Sequence, residues 1–404
     1  KSLIKNVPNI TDVLKVVEIL RGLGARVSFD EKNKTVEVDT TSVDRNKALC
    51  ERMGLIRASV LVAGPLLARF GTVCVPVPGG CDLALKGRPV NYHLRGFEQL
   101  GATIVRQNGF FEVIFRKEQS KKRKVVFDYP SVGATENVLM CAAAMKGETL
   151  IVNAALEPEV LDLISVLKKM GATVEVVSHG MIRVVGCEKL KPVEHTLISD
   201  RLEAGSLLLA IAATGGEGGV LNARPDHLEL FIEKLRCMGH EIETGINNKG
   251  IWIKASENPI SIDIKTMPYP GFPTDLQAQM TVALLKSKGV SSICETVFDG
   301  RFGHVKELEK FGAKISISGC SAKIEGGINL NGADVYSPNI RAAYALVIAG
   351  LISNGTTRVF GLKHLRRGYD SFEEKLLSLG ADVKMVSVDK VDSEIVEISN
   401  PGLG

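Results

Sequence analysis

The chain has 404 residues, of which 45% are hydrophobic and 24% charged, a composition typical of a folded globular protein with two or three domains. It excludes a disordered or collagen-like chain, because apolar residues are abundant and the 40 glycines follow no short period. Fifty Lys and Arg against 46 Asp and Glu give a net charge of +4, too small to indicate or exclude an anionic ligand.

The longest apolar stretches, such as Ala342–Ile352, reach about half of the roughly 20 residues that a membrane-spanning helix needs. We therefore expect buried helices and no membrane insertion. The eight cysteines form no CxxC pair and no Cys/His metal spacing, a pattern that suits a reducing cytoplasm. No aromatic residues interleave with the basic run at positions 121–124, so we interpret it as a solvated loop before a strand and expect no nucleic-acid partner.

One eight-residue phrase recurs six times along the chain, with a period of about 70 residues. In each copy, apolar residues at helical spacing stop at a glycine, and a β-branched residue follows three positions later. The phrase therefore predicts a helix end capped by glycine and then the start of a strand. The copies are Leu20–Val27, Phe97–Ile104, Leu167–Val174, Leu235–Ile242, Leu308–Ile315 and Leu376–Val383.

A mostly apolar helix is predicted before five of the six copies. These helices are Arg57–Arg69, Val132–Met145, Leu202–Thr214, Leu276–Lys286 and Arg341–Ser353. The first copy lacks one, because the chain opens inside a strand similar to Leu150–Ala154, and we expect an N-terminus that is incomplete or trimmed. Repeated units with apolar helices inside predict an α/β architecture in which sheets surround buried helices. A change in pattern near Ile198 predicts two domains, residues 1–198 and 199–404.

The segment Val77–Cys81, followed by Gly87–Val90 and His93, resembles the UDP-N-acetylglucosamine enolpyruvyl transferases. Further blocks agree with this family in the same order along the chain. They are Arg57–Ser59, Ser131–Asn137, Asp200–Gly205, Pro268–Gln279, Asp299–Arg301 and Arg367–Tyr369. The resemblance implies two domains, each a threefold inside-out α/β barrel, with substrates in the cleft between them. The first would carry the Cys81 loop, and the second would lack its N-terminal strand.

The reaction implied by the resemblance transfers the enolpyruvyl group of phosphoenolpyruvate to the 3-hydroxyl of UDP-N-acetylglucosamine and releases phosphate. This is the first committed step of bacterial peptidoglycan synthesis, and the implied location is the cytoplasm. The resemblance implies no metal and no other cofactor. It leaves an oligomeric partner open.

Arginines are the candidates for holding two anionic substrates, because a guanidinium group stays charged and can bind a carboxylate or phosphate through two parallel hydrogen bonds. The candidates are Arg57, Arg88, Arg341 and Arg367. Arg57 and Arg341 each open an apolar helix, whose free N–H groups also favour an anion. From the residues alone, each arginine could instead lie on the surface or in an ion pair. The resemblance implies that they bind substrate and that Arg367 takes part in catalysis.

Two segments are implied to bind the uridine diphosphate. Ser131, Val132 and Gly133 begin an apolar helix directly after a proline, so its free amides can bind a phosphate oxygen. A plain N-cap role for the serine is the compatible alternative. The residues from Arg88 to His93, among them Pro89, Val90, Asn91 and Tyr92, would line the uridine side, and Tyr129 is a further substrate-binding candidate.

The resemblance implies that Asp275 is the base that contacts the sugar hydroxyl, although a helix-start charge is the simpler alternative. Cys81 follows two glycines in a loop, and a thiol in a basic cleft should have a lowered pKa. The resemblance implies that this cysteine protonates C3 of the enol, takes part in product release and is alkylated by fosfomycin. Inert packing is the alternative for this cysteine. Val297 is implied to present backbone to the sugar, and Arg301 to support the cleft.

The sequence departs from the family at several positions. No residue corresponds to the Lys-Asn pair of the family's first buried helix, so this chain is expected to lack one substrate clamp. The loop from Cys81 to Arg88 is longer than usual, which leaves the reach of the cysteine open. Asn91, Asn339 and Arg366 stand where the family usually has aspartate.

Two other functions remain open from the sequence. One is a non-catalytic paralogue that binds the sugar nucleotide. The other is the related shikimate-3-phosphate enolpyruvyl transferase, against which the Pro-Gly-Gly-Cys loop argues.

Overall fold

The computed structural model describes residues 1–44, 57–76, 90–107, 110–116, 120–245, 250–387 and 394–400. The chain separates into two compact units, Lys1–Ile198 and Ser199–Gly404. Each unit has its own hydrophobic core of buried helices and inward-facing strand residues.

The first part of the first unit consists of β1 (Ser2–Lys5), α1 (Thr11–Gly22), β2 (Arg26–Asp30), β3 (Thr35–Asp39), a 3-10 helix (Arg57–Val62), α2 (Ala63–Phe70), β4 (Thr72–Pro76), α3 (Asn91–Gln99), β5 (Thr103–Gln107) and β6 (Phe110–Ile114). It continues with β7 (Lys122–Val126), α4 (Val132–Ala143), β8 (Gly147–Val152), α5 (Pro158–Lys169), β9 (Thr173–Ser178), β10 (Met181–Gly186) and β11 (Glu194–Thr196). In the described residues these strands form three sheets, with strand orders β11-β1-β3-β2, β4-β6-β5 and β7-β8-β10-β9.

The first part of the second unit consists of α6 (Arg201–Thr214), β12 (Glu217–Leu221), a 3-10 helix (Pro225–His227), α7 (Glu229–Cys237), β13 (Glu241–Thr244), β14 (Gly250–Lys254), β15 (Asp263–Lys265), a 3-10 turn (Thr274–Leu276), α8 (Gln277–Leu285) and β16 (Val290–Cys294). It continues with α9 (Val305–Glu309), β17 (Lys314–Ser318), β18 (Ser321–Glu325), β19 (Leu330–Asn331), β20 (Asp334–Tyr336), α10 (Ile340–Leu351), β21 (Ser353–Phe360), a 3-10 helix (Leu362–Arg367), α11 (Phe372–Ser378), β22 (Val383–Ser387) and β23 (Glu394–Asn400). Its described strands also form three sheets, with orders β12-β14-β13, β15-β16-β18-β17 and β19-β21-β23-β22, and β20 pairs with β21.

Helices α6, α8 and α10 form the interior of the second unit, where each packs against the other two. Every residue of α8 is buried, as are all residues at positions 204–213 of α6 and 342–350 of α10. These helices are mostly apolar on every side, as burial all round requires, and the buried polar residues Gln279 and Thr281 of α8 form hydrogen bonds within the unit. The predicted α/β architecture with buried helices is confirmed. No helix in the described ranges is both long and apolar enough to cross a membrane.

The repeated phrase forms the predicted structure in all six copies. Its glycines have φ values between 88° and 107°, in the left-handed region that glycine adopts without a steric penalty. Each glycine follows one of the outer helices α1, α3, α5, α7, α9 and α11, and a strand begins two or three residues later. The helix-end prediction is therefore confirmed.

The likeness between the first strand and β8 is also found in the structure. Asn6 and Asn153, each just after its strand, have positive φ values of 60° and 56°. The side chain of Asn6 donates to the carbonyl oxygen of Leu197 at 3.1 Å, and that of Asn153 to the carbonyl oxygen of Phe127 at 2.9 Å. In both repeats, asparagine links the strand to the chain that continues its parallel neighbour.

The prediction of a solvated loop at positions 121–124 is wrong, because residues 122–124 belong to β7. Arg123 is 8% exposed and faces inward, while the lysines on either side of it face solvent. Its guanidinium donates to the carbonyl oxygens of Ser120 and Lys146 and to Oγ1 of Thr149. A guanidinium can be buried when such acceptors satisfy its donors. Because side chains alternate along a strand, Arg123 is the only one of the four basic residues that faces inward.

Candidate functional site

A carboxylate held by two arginines lies in the second unit. Asp275 sits in the 3-10 turn before α8, and Arg341 is the second residue of α10. Nη1 of Arg301 donates to Oδ1 of Asp275 at 3.0 Å, and Nε of Arg341 donates to the same oxygen. The contact joins the N-terminal ends of two buried helices, where exposed amides also favour negative charge.

Burial shapes the electrostatics of this cluster. The side chain of Arg301 is 14% exposed, and its guanidinium lies 4.2 Å from the ring centroid of Phe298. Loss of solvation lowers the pKa of Arg301 to about 10, against the opposing effect of Asp275, so the group stays positively charged at neutral pH. The two guanidinium groups therefore present fixed positive charge around one carboxylate.

Glu295, which directly follows β16, organises the loop that leads to Arg301. Its side chain is buried, and Oε1 accepts hydrogen bonds from Thr266 Oγ1 at 2.8 Å and from the amides of Val297 and Phe298 at 2.8 and 3.1 Å. Oε2 accepts from Thr274 Oγ1 at 2.7 Å. One carboxylate thus fixes both the loop after β16 and the turn before α8.

Thr274 couples this loop to the arginine cluster, because its Oγ1 also accepts a hydrogen bond from Nη1 of Arg301 at 2.5 Å. Glu295 and Thr274 are functional candidates that the sequence reasoning missed. A signal was available in the sequence for both, since Thr274 lies within Pro268–Gln279 and Glu295 lies four positions before Asp299, where another segment that resembles the family begins. The bond that Val297 donates to Glu295 means that its amide already has a partner within the chain.

Arg367 ends a 3-10 helix and is partly buried. Two residues later, Tyr369 stacks on Tyr344 of α10 with ring centroids 4.5 Å apart. The hydroxyl of Tyr369 forms hydrogen bonds with Ser206 of α6 at 2.9 Å and with Gln279 of α8 at 3.3 Å. The segment that carries Arg367 is thereby anchored to all three buried helices of the unit.

Two of the departures from the family have a structural account. Asn339 is the N-cap of α10, and its Oδ1 accepts hydrogen bonds from the amides of Arg341 and Ala342 at 3.1 Å each. Asparagine caps helices about as well as aspartate does, so the capping role is kept. Arg366 is exposed and lies 3.5 Å from the carboxylate of Glu373.

In the first unit, the predicted residues of α3 and α4 lie close together. Tyr92 stacks on Tyr129, with ring centroids 6.4 Å apart. A Cβ added at Gly133 would come within 3.2 Å of the ring of His93, so the glycine permits close packing between the two helices. Asn137 fixes the same contact, because its amide nitrogen lies 3.0 Å from Nδ1 of His93.

The remaining predicted residues of this group surround these contacts. Val90 and Asn91 begin α3, while Ser131 is the N-cap residue of α4 and Val132 its first helical residue. The side chain of Ser131 makes no capping hydrogen bond. The helix N-terminus therefore does not depend on the serine hydroxyl for its amide partners.

Several predicted residues cannot be placed. Cys81, Arg88 and Pro89 lie outside the described residues. Arg57 begins the first 3-10 helix, but its side chain is likewise outside the described part. In sum, the structure brings Asp275, Arg301 and Arg341 together in one unit and the tyrosine pair together in the other.

No group of three or more His, Cys, Asp or Glu side chains is placed to hold a metal ion in the described part of the chain. His304 is buried, and loss of solvation lowers its pKa to about 4, so it is neutral at physiological pH. Its ring packs beside Phe302, with centroids 6.4 Å apart, as expected for a core histidine.

Comparisons with known proteins identify several relatives. The family model described as EPSP synthase (3-phosphoshikimate 1-carboxyvinyltransferase) matches residues 1–376. UDP-N-acetylglucosamine 1-carboxyvinyltransferase 2 of Carboxydothermus hydrogenoformans is 45% identical over 381 residues, which cover 94% of this chain and 90% of that protein.

Solved structures share the fold. The enolpyruvyl transferase NikO from Streptomyces tendae aligns with a TM-score of 0.82 and 23% identity, covering 99% of this chain and 91% of that chain. EPSP synthase from Acinetobacter baumannii aligns with a TM-score of 0.70 and 18% identity, covering 94% and 89%. These structures carry the same inside-out arrangement of helices and mixed sheets as the two units described above.

Proposed function

Because the chain belongs to the enolpyruvyl transferase family and is a transferase of that kind, we propose that it transfers the enolpyruvyl group of phosphoenolpyruvate to the 3-hydroxyl of UDP-N-acetylglucosamine, with release of phosphate. The relative that is 45% identical over 381 residues and bears the name of this activity supports the choice of sugar nucleotide. The reaction would begin peptidoglycan synthesis and supply the cell wall.

The observation that carries the proposal is the Asp275 carboxylate held by Arg301 and Arg341 at the ends of two buried helices. A base that accepts a proton from a hydroxyl must be fixed in position and remain ionised until it acts. Two guanidinium groups on one carboxylate oxygen meet both needs, because they orient the carboxylate and stabilise its charge. We assign Asp275 the role of base, and the two arginines the role of holding it and an anionic substrate.

We assign the uridine diphosphate to the first unit, where the N-terminus of α4 meets the start of α3. The helix amides of Val132 and Gly133 suit phosphate oxygens, and the Tyr92–Tyr129 pair offers an aromatic surface for the uracil ring. The further residues of this proposal are Arg57, Arg88, Pro89, Val90, Asn91, Ser131 and Val297 for substrate binding, and Cys81 and Arg367 for catalysis.

We assign to Cys81 the transfer of a proton to the enol carbon, a step that a thiol near positive charge can perform. Every cysteine that the structure describes is a free thiol, which supports a reducing cytoplasm as the location.

The test is a phosphate-release assay with phosphoenolpyruvate and one of two acceptors, UDP-N-acetylglucosamine or shikimate 3-phosphate. We expect release with the sugar nucleotide only. Release only with shikimate 3-phosphate would transfer the chain to that branch, and calorimetric binding of the sugar nucleotide without turnover would indicate the non-catalytic paralogue.

Variants separate the assigned base from general damage. Asp275→Ala should lower turnover at least about a hundredfold while sugar-nucleotide binding stays within about tenfold. The matched control is Asp334→Asn, an exposed aspartate in the same unit whose Oδ1 lies 3.7 Å from Arg358, and it should keep the wild-type rate. A nearly unchanged rate in Asp275→Ala would remove this residue from the chemistry.

A further inference from the structure

Two cysteines of the second unit lie side by side, outside the proposed site. The sulfur atoms of Cys294 and Cys320 are 3.7 Å apart. Cys294 is the half-buried last residue of β16, and Cys320 is an exposed residue between β17 and β18. The pair is therefore reachable by a small oxidant from solvent.

The backbone fixes the two thiols in this position. Ser318 and Ser321 are paired across a two-residue hairpin turn, and Gly319 takes the first turn position with φ of 58°, which such turns favour. Cys294 is paired with Ser321 on the next strand. The amide of Glu295 donates to the carbonyl oxygen of Cys320 at 2.8 Å and ties the turn to the end of β16.

We propose that Cys294 and Cys320 form a reversible oxidation site that closes to a disulfide on reaction with a hydroperoxide. One thiolate attacks the peroxide oxygen and becomes a sulfenic acid, with release of water or an alcohol. The second thiolate then attacks the sulfenic sulfur, forms the S–S bond and releases one water. Overall, two thiols lose two hydrogen atoms and one hydroperoxide is reduced.

The movement required is small. A disulfide has an S–S distance of about 2.05 Å, so the sulfur atoms must approach by roughly 1.7 Å from the 3.7 Å that separates them now. Rotation about the Cα–Cβ bond of each cysteine is the movement that would bring the sulfur atoms together. The strand pairs that hold Cys294 and flank Cys320 join Cys294 to Ser321 and Ser318 to Ser321.

Two other cysteines in the described part of the chain have surroundings of a different kind. Cys141 is fully buried, its thiol points to Sδ of Met145, and burial raises its pKa to about 12. Cys237 is exposed, and its thiol donates to the carboxylate of Glu233 at 3.9 Å. Within the described residues, neither of these two thiols has the sulfur–sulfur contact with another cysteine that Cys294 and Cys320 share, so Cys237 is a suitable comparison at similar exposure.

Closing the bond has a consequence for the neighbouring loop. The disulfide encloses positions 295–319, which include Glu295 and Arg301 of the arginine cluster. A disulfide that closes a loop lowers the conformational entropy of the unfolded chain more than that of the folded chain, and it therefore stabilises the unit that contains it. Oxidation should therefore raise the melting temperature of the second unit by several degrees and make the loop after β16 more resistant to unfolding.

The test uses the reduced protein, treated with a slight excess of hydrogen peroxide, blocked with N-ethylmaleimide at intervals and analysed by peptide mass mapping. We expect a cross-linked peptide pair that joins Cys294 to Cys320 and whose mass is lower by two hydrogen atoms. This pair should form before Cys237 is modified, and it should disappear on treatment with dithiothreitol. The melting temperature should rise with cross-linking and return on reduction.

Three variants make the result specific. Cys294→Ser and Cys320→Ser should each lose both the cross-link and the rise in melting temperature, whereas Cys237→Ser should keep both. The proposal is overturned if wild-type Cys294 or Cys320 is oxidised singly while the other is still blocked by maleimide, or if the cross-link forms no faster than Cys237 reacts. Mapping of the wild-type protein decides the matter even where a serine variant folds poorly.

Discussion

Removing the carboxylate of Glu295 should destabilise the second unit more than the substitution of any exposed charged side chain. The side chain is 3% exposed and accepts four hydrogen bonds, from the hydroxyls of Thr266 and Thr274 and from the amides of Val297 and Phe298. In Glu295→Ala these donors lose their acceptor inside the protein. We expect the free energy of unfolding to fall substantially.

The magnitude follows from the number of donors. A buried donor without a partner costs about 1–3 kcal/mol, and the hydroxyls can turn to other acceptors while the two amides cannot. We expect a loss of about 3–5 kcal/mol for Glu295→Ala. Glu295→Gln keeps one acceptor oxygen but points an NH2 group at Thr274, whose hydroxyl already accepts from Arg301, so about 1–2 kcal/mol should be lost.

Urea unfolding followed by tryptophan fluorescence measures this effect directly. The chain has a single tryptophan, Trp252 in β14, so the signal reports on the second unit. The matched control is Glu325→Gln, because Glu325 is 55% exposed and lies 3.9 Å from Lys314, and its loss should change the free energy by less than about 0.5 kcal/mol. A loss below about 1 kcal/mol for Glu295→Ala, or a larger loss for the glutamine variant, would refute the reasoning.

The remaining predictions concern three other positions. Cys81→Ser should abolish covalent labelling by fosfomycin in intact-mass spectra, and stoichiometric labelling of the variant would exclude Cys81 as the target. Burial, helped by two nearby glutamates, raises the pKa of Glu136 from 4.5 to about 7. Between pH 4.5 and 7, the carboxyl group is therefore protonated in the folded state and ionised in the unfolded state. Stability should fall by roughly 3 kcal/mol as pH rises from 4.5 to 7, and Glu136→Gln should remove this slope in urea titrations at several pH values. Arg123→Ala leaves three buried acceptors without their donor, so the free energy of unfolding should fall by about 2–4 kcal/mol in denaturant titrations followed by circular dichroism. The exposed control Lys122→Ala should lower it by less than about 0.5 kcal/mol. Equal losses would contradict the burial of the guanidinium.

The repeat and the buried helices could be predicted from the sequence because their causes are local. A left-handed glycine at a helix end is a property of one residue and its neighbours, and each of the six copies adopts it. Likewise, a helix that is apolar on nearly all sides, such as α10, requires burial wherever it lies. The candidate roles of Asp275, Arg301 and Arg341 came from a resemblance to a family, residue by residue.

The hydrogen bonds that hold the candidate site were decided by the tertiary structure. Arg341 is 66 positions from Asp275 and Arg301 is 26 positions away, and no local pattern indicates that all three meet at one oxygen. The acceptor role of Glu295 depends on the fold, which brings Thr266, just after β15, and Thr274, in the turn before α8, to the end of β16. Arg123 shows the limit most clearly, since a run of four basic residues indicates solvent, and only strand alternation beside three oxygen acceptors turns one of them inward. Local conformational preference is encoded in short stretches of chain, whereas the partners of a polar group are supplied by whichever distant segments the fold brings beside it.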